Sequence, residues 1–224
     1  MLRAGNALRV LHRRTPEGPA PVDKGPVVIA VLDYGAGNLR SVQNTLDAIG
    51  AQYRIVRDRD GLERASKILL PGVGHFGQMM RALDQLDVRG TLKERMAAGV
   101  PFLGICLGLQ ALFQHSAEAL EVEGLGVFAG SVERFPASAR VPHMGWNTVT
   151  LVRPGRLLEG RAPEPYFYFA NSYYVPICDG TVASCTYTSP FTAVLEAGNI
   201  FGVQFHPEKS GRAGLGIVRR FIEL

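Results

Sequence analysis

Apolar positions change their spacing along this 224-residue chain, and each change marks an element. Residues 27–33, VVIAVLD, form a continuous apolar run of the kind a parallel sheet buries on both faces. Leu39, Val42, Leu46 and Ile49 then recur at helical spacing, and Gly50 stops that helix. The pattern predicts strands at QYRIV (52–56) and KILL (67–70), then helices around 77–85 and 87–98. PFLGI (101–105) reads as another buried strand, after which Cys106 opens a helix. This alternation predicts an α/β fold with a doubly wound, mostly parallel sheet, whose ligands bind at the carboxyl ends of the strands.

Beyond residue 125 the texture shifts to short alternating runs, among them GVFAGSVERF, NTVTLV, YFYFANSYYV and TVASCTYTS. These predict antiparallel strands added to the parallel core. At the end, Leu215, Val218, Phe221 and Ile222 fall on one helical face over 211–224.

Charge and composition alter this picture little. Residues 1–26 carry Arg3, Arg9, Arg13, Arg14 and Lys24 against Glu17 and Asp23, which accounts for +3 of the +4 net charge. The remainder is near neutral, so charge gives no reason to expect nucleic-acid binding. The Pro/Gly-rich end of that head predicts a disordered extension, with a single domain over 27–224. The head lacks the serines of a transit peptide and the apolar stretch of a secretory signal. No run approaches the roughly eighteen apolar residues of a membrane span. Three cysteines, Cys106, Cys178 and Cys185, are too few and too odd for a disulfide framework, and they suit a reducing cytoplasm.

The chemistry lies in three places. Gly104-Ile105-Cys106-Leu107-Gly108 is G-x-C-x-G, the thiol analogue of a nucleophile elbow. Flanking glycines leave room for a sharp strand-to-helix turn, and a helix N-terminus favours thiolate. The amide of Leu107 would face a developing oxyanion. From this stretch alone, a buried structural thiol remains an equal alternative. In GVQFHPEKS (202–210), strand alternation puts Gln204 and His206 on one side, and carrying it past Pro207 adds Glu208. That is a base with its orienting carboxylate, as a cysteine nucleophile requires; a surface His–Glu pair is the plainer reading. In LLPGVGHF (69–76), the Pro-Gly-Val-Gly loop exposes N–H groups, and Val73 or Gly74 could give the second oxyanion hydrogen bond. YGAGNLR (34–40) lacks the third glycine of a dinucleotide fingerprint. The histidines and the remaining cysteines lack metal-ligand spacing, so neither metal nor cofactor is expected.

Taken together, GICLGLQ and GVQFHPE resemble the class I (triad) glutamine amidotransferases, over residues 27–224. The set DYGAGNLRSV, PGVGHFG, PHMGWN, NSYY and GNIFGVQFHPEKS, in that order, is similar to the glutaminase subunits of imidazole glycerol phosphate synthase. The resemblance implies the class I amidotransferase fold and a triad of Cys106, His206 and Glu208. It also implies an oxyanion hole from Gly72, Val73, Gly74 and Leu107, whose loop peptide must reorient. L-glutamine would be bound by Gln110, Glu118, Ser172 and Tyr173. It implies a heterodimer with a (β/α)₈-barrel cyclase, met through Asn38, Trp146 and Lys209, which uses the ammonia in histidine biosynthesis. A core tryptophan is the other reading of Trp146. The family more often reads His-Ser-Tyr-Tyr where this chain has Asn171-Ser172-Tyr173-Tyr174, and asparagine cannot carry a proton as imidazolium does. A glutaminase serving another synthase and a non-catalytic scaffold on the same fold are the competing readings.

Overall fold

The first apolar run becomes β1 (Val27–Leu32), whose alternate residues feed two cores: Ile29 and Val31 enter one, Ala30 and Leu32 the other. The structure, a computed structural model, describes residues 27–36, 38–160 and 165–224. The extension expected over 1–26 lies outside the described residues. Helix α1 (Leu39–Ala48) starts where the Asn38 side chain accepts the Ser41 N–H, and Gly50 at φ +69° follows its end. Then come β2 (Tyr53–Val56), α2 (Arg59–Glu63), β3 (Ala65–Gly72), α3 (Phe76–Gln85), α4 (Arg89–Ala97), β4 (Phe102–Cys106) and α5 (Leu107–Gln110). The second half holds β5 (Phe113–Ser116), β6 (Phe128–Arg134), β7 (His143–Thr148), β8 (Thr150–Leu151), β9 (Tyr166–Asn171) and β10 (Tyr173–Tyr174). It ends with β11 (Thr181–Thr186), β12 (Pro190–Ala197), β13 (Ile200–Val203) and α6 (Gly211–Glu223).

The main sheet runs β2-β1-β3-β4-β13-β12-β11-β8 among the described residues. Its first five strands are parallel, and β12, β11 and β8 extend it antiparallel. Val42 and Leu46 of α1 and Ile217, Val218 and Phe221 of α6 cover one face. Leu62 of α2, Met79, Met80 and Leu83 of α3 and Leu92 and Met96 of α4 cover the other. This is the expected doubly wound α/β sheet with antiparallel additions.

Several local expectations are corrected. Helix α2 was not anticipated; it is five residues long, capped by Asp58 accepting the Gly61 N–H. Strand β3 runs two residues past KILL, so Pro71 and Gly72 pair with Ile105 and Cys106 rather than belonging to a free loop. The helix after Cys106 is a four-residue piece, because the chain turns into β5 three residues later. Strand β6 pairs parallel with β5 and antiparallel with β10, so the added strands are not uniformly antiparallel. On α6 the buried face is Gly214, Ile217, Val218 and Phe221; Leu215 and Ile222 are half-buried. Gly214 takes an inward place because a Cβ there would collide with the Pro207 carbonyl.

Candidate active site

Strand β4 is central and parallel to both neighbours, so its carboxyl end opens at the sheet's edge between β3 and β13. Cys106 stands at that end with φ +54° and ψ −106°, a backbone region that costs a β-carbon-bearing residue on the order of 1–3 kcal/mol. The packing around it enforces this turn. A Cβ at Gly104 would collide with Gly108, and a Cβ at Gly108 with the Leu70 carbonyl. Helix α5 therefore lies directly on β3 and β4, and Cys106 is 7% exposed. One turn of helix is too short for the full dipole anticipated from the sequence. The ionisable group beside the sulfur is an imidazole.

That imidazole is His206. Its ring hydrogen-bonds Cys106, and its Nδ1 lies 2.8 Å from Glu208 Oε1. Burial works against charge on the ring, but the Cys106 sulfur, by charge and hydrogen bond, and the Glu208 carboxylate outweigh it and push its pKa up. His206 and Glu208 meet as expected, though not by strand alternation. Strand β13 stops at Val203, and residues Pro207–Lys209 form a 3-10 turn that folds the carboxylate back under the ring. Ser210 braces the arrangement: its hydroxyl donates to the His206 carbonyl at 2.6 Å and accepts the Tyr168 N–H at 3.0 Å.

Cys106 and His206 border a cavity of about 320 Å³, lined also by Val73, Gly74, Leu107, Gln110, Glu118, Asn171, Ser172, Tyr173 and Lys209. The volume suits an amino-acid-sized ligand. Gln110 Nε2 donates to the Tyr173 carbonyl at 2.9 Å and to Gln204 Oε1 at 3.1 Å. Glu118 Oε2 accepts the Phe76 N–H at 2.7 Å, at the start of α3, which fixes one oxygen and leaves the carboxylate bordering the cavity. A carboxylate with one oxygen held and a cysteine thiol bordering one cavity can bind a zwitterion and attack a carbonyl on it. Gly72, expected in the oxyanion set, does not border the cavity; a Cβ there would run into Leu107 and Gly108. Its bareness serves packing.

The three expected interface residues lie outside or at the rim. Trp146 is 56% exposed on β7, which excludes the core reading, and its ring meets Tyr168 edge-on at 6.1 Å. Lys209 Nζ sits 5.7 Å from the same Tyr168 ring. With Met144 and Tyr166 they form an exposed, largely aromatic face beside the cavity mouth. Asn38 is exposed at the start of α1, which packs against the Pro207–Lys209 turn.

Two participants had no assigned role in the sequence. Gln204, fully buried, donates from Nε2 to Cys106 Sγ at 3.5 Å; its alternation with His206 was the available signal. Tyr34 reaches the Val73 backbone from the segment after β1, and no local pattern announces that contact.

A thiol, an imidazole and a carboxylate thus meet at the carboxyl end of a doubly wound sheet, and comparisons with known proteins give the family. The family profile described as glutamine amidotransferase class-I matches residues 30–224, and the chain belongs to that family. Within it, the chain is 48% identical to imidazole glycerol phosphate synthase subunit HisH of Methanothermobacter thermautotrophicus, over 88% of this chain and 98% of that protein. It is 46% identical to the subunit of the same name from Moorella thermoacetica, over 88% of this chain and 94% of that one. Among solved structures, one described as a glutamine amidotransferase superposes with a TM-score of 0.70 at 21% identity, covering 88% of this chain and 97% of that one. PurLQS from Thermotoga maritima does so with 0.69 at 19%, covering 88% and 98%. These two speak for the fold alone.

Proposed function

We propose that this chain is the glutaminase subunit of an imidazole glycerol phosphate synthase, acting in histidine biosynthesis. The observation that carries the reading is the buried Cys106–His206–Glu208 line at an amino-acid-sized cavity that Glu118 also borders, in a chain so similar to HisH subunits. Glutamine lies with its ammonium toward Glu118, its carboxylate toward Gln110, and Ser172 and Tyr173 along its flank. Cys106 sulfur adds to the side-chain carbonyl, and Leu107 with Val73 or Gly74 donates to the oxyanion. His206 passes its proton to the leaving nitrogen, so ammonia departs and a glutamyl thioester remains. His206 then takes a proton from water, whose oxygen attacks the thioester to release glutamate and return the thiol. Glu208 holds the imidazole in register throughout.

The ammonia passes to a (β/α)₈-barrel cyclase docked on the face of Trp146 and Lys209, with Asn38 at its edge. The product pair is imidazole glycerol phosphate and an aminoimidazole carboxamide ribotide. In this reading the reacting domain is 27–224, residues 1–26 are an extension without a part in the reaction, and the heterodimer works in the cytoplasm. Among the described residues no helix is long and apolar enough to cross a membrane.

The test is glutamate release by the chain with its cyclase. Cys106→Ala should abolish it while added ammonium still supports product; continued release would show another nucleophile. His206→Ala should be nearly as severe, and Glu208→Gln milder by about one to two orders of magnitude. Product from ammonium but none from glutamine in the wild-type complex would exclude the glutaminase reading.

A further inference from the structure

Strand β13 runs parallel to β4 with Val203 opposite Ile105, so the next residues along, Gln204 and Cys106, lie side by side. Two side chains hydrogen-bond the Cys106 sulfur: the His206 ring and Gln204, whose Nε2 donates at 3.5 Å. The imidazole exchanges protons during the reaction. The carboxamide neither gives nor takes one, yet it is fully buried against the nucleophile.

Which end of that carboxamide faces the sulfur is fixed from further away. The Tyr173 carbonyl, which can only accept, takes hydrogen bonds from Gln110 Nε2 and Asn171 Nδ2, each at 2.9 Å. Gln110 Nε2, so oriented, also donates to Gln204 Oε1 at 3.1 Å. With Oε1 engaged there, Nε2 is the atom left for Cys106. Exchanging the two ends of Gln204 would set donor against donor at Gln110 and put an oxygen on the sulfur. The Gln204 backbone N–H bonds the Ala193 carbonyl of β12 at 2.9 Å, which anchors the residue from the other side. A buried amide left unpaired costs about 1–3 kcal/mol, so a place that needed only filling would be better served by an apolar side chain.

We infer that Gln204 is a further catalytic residue, one that stabilises negative charge on the Cys106 sulfur when the sulfur is the leaving group. This rests on the glutaminase reading above. In the second half of that reaction, water oxygen bonds to the thioester carbon while His206 takes its proton. The adduct then breaks its C–S bond, and the sulfur takes back the electron pair. The Gln204 N–H meets that charge as it forms, and His206 returns its proton to the sulfur while the new carboxyl group ionises to solvent. In the first half the sulfur gives its pair away, so the same N–H offers no help there. Losing it should slow thioester hydrolysis far more than thioester formation.

The experiment uses the complete complex with its barrel cyclase and glutamine. Gln204→Met fills the same space without a donor and should lower kcat by roughly tenfold to a hundredfold, the value of a hydrogen bond to a charged group. Because the covalent intermediate then accumulates, kcat/KM should stay within about threefold and KM should fall. Acid quenching and mass spectrometry should find a larger share of Cys106 carrying a glutamyl group than in the wild type. A raised KM with no added glutamyl-enzyme would show that Gln204 works only by holding Gln110, and overturns the inference. Gln204→Glu decides the case where Gln204→Met folds poorly. It keeps an oxygen for Gln110 but can donate to sulfur only while its carboxyl is protonated, so its kcat should fall against the wild type as pH rises, or be low throughout. A wild-type kcat with a wild-type pH profile in Gln204→Glu overturns the inference. A wild-type complex that neither releases glutamate nor forms the glutamyl-enzyme sinks the functional reading as well, whereas an active wild type with an unchanged Gln204→Met sinks this inference alone.

Discussion

On the Cys106 side of the cavity each backbone unit is wedged against another: Gly72 against Leu107, Gly104 against Gly108, Gly108 against Leu70. On the opposite side, two residues past the end of the same strand β3, Gly74 has open space around it and the Val73 peptides hang on one phenolic hydroxyl. The first side packs a strained Cys106 tightly, and the second leaves room around Gly74. The division makes chemical sense. A nucleophile must be positioned to within a fraction of an ångström at all times, whereas a hydrogen-bond donor for the oxyanion can be withheld, and one such donor is worth roughly a hundred- to thousandfold in rate. Tight packing and open space thus fall on different sides of one pocket.

The comparison breaks most violently at Gly108. Gly108→Ala places a Cβ against the Leu70 carbonyl, which belongs to a central strand and cannot give way. It should cost at least about 3 kcal/mol, seen as a large fall in the denaturation midpoint, with glutamate release lost. A stable, active Gly108→Ala protein would show that the Cys106 wall is far softer than its packing indicates.

Gly74→Ala tests the other wall. It meets no neighbour, but at φ +94° a side chain is strained and the loop has fewer orientations. Stability should fall by only about 1–2 kcal/mol. The partner-stimulated kcat should drop by about tenfold or more, while the KM for glutamine stays within about twofold. Equal losses in kcat and in glutamine binding would mean that the loop shapes the ground state as well.

A smaller effect is expected from the far side, where Pro142 closes the cavity and His143 follows it into the core. His143 stacks on Tyr187 at 4.1 Å and Phe169 at 5.0 Å, and burial lowers its pKa to about 4. Its folded value lies below the ordinary 6.5, so as pH falls from 6.5 toward 4 the unfolded chain takes up a proton that the folded one refuses. Stability is therefore full above that window and declines within it. His143→Phe should make the melting temperature less sensitive to acid by several degrees across the window. An identical pH profile would show that this histidine is solvated or neutralised from another quarter.

How much of this was legible in the sequence follows the same division. Continuous apolar runs gave β1 and β4, since burial on both faces leaves no alternative composition, and helical spacing gave α1, α3 and α4. Cys106 and the His206–Glu208 pair were legible because each sits in a short motif whose neighbours exist for its sake. The 3-10 turn at Pro207–Lys209 was not, because strand alternation and a tight turn both put positions 206 and 208 together. The four-residue length of α5 was not legible, because the turn into β5 depends on tertiary packing beyond the segment. The Tyr34–Val73 contact spans thirty-nine positions, and no local periodicity reports on a hydroxyl so far away.

The Ser210 hydroxyl has a consequence of another kind. It joins the carbonyl of His206 to the amide of Tyr168, and the His206 amide in turn bonds the Tyr168 carbonyl at 2.9 Å. Tyr168 lies opposite Trp146 on the exposed ladder. In mechanical terms the outer strand and the His206 backbone share one joint, so pulling Tyr168 away from Trp146's face would have to break or stretch these bonds.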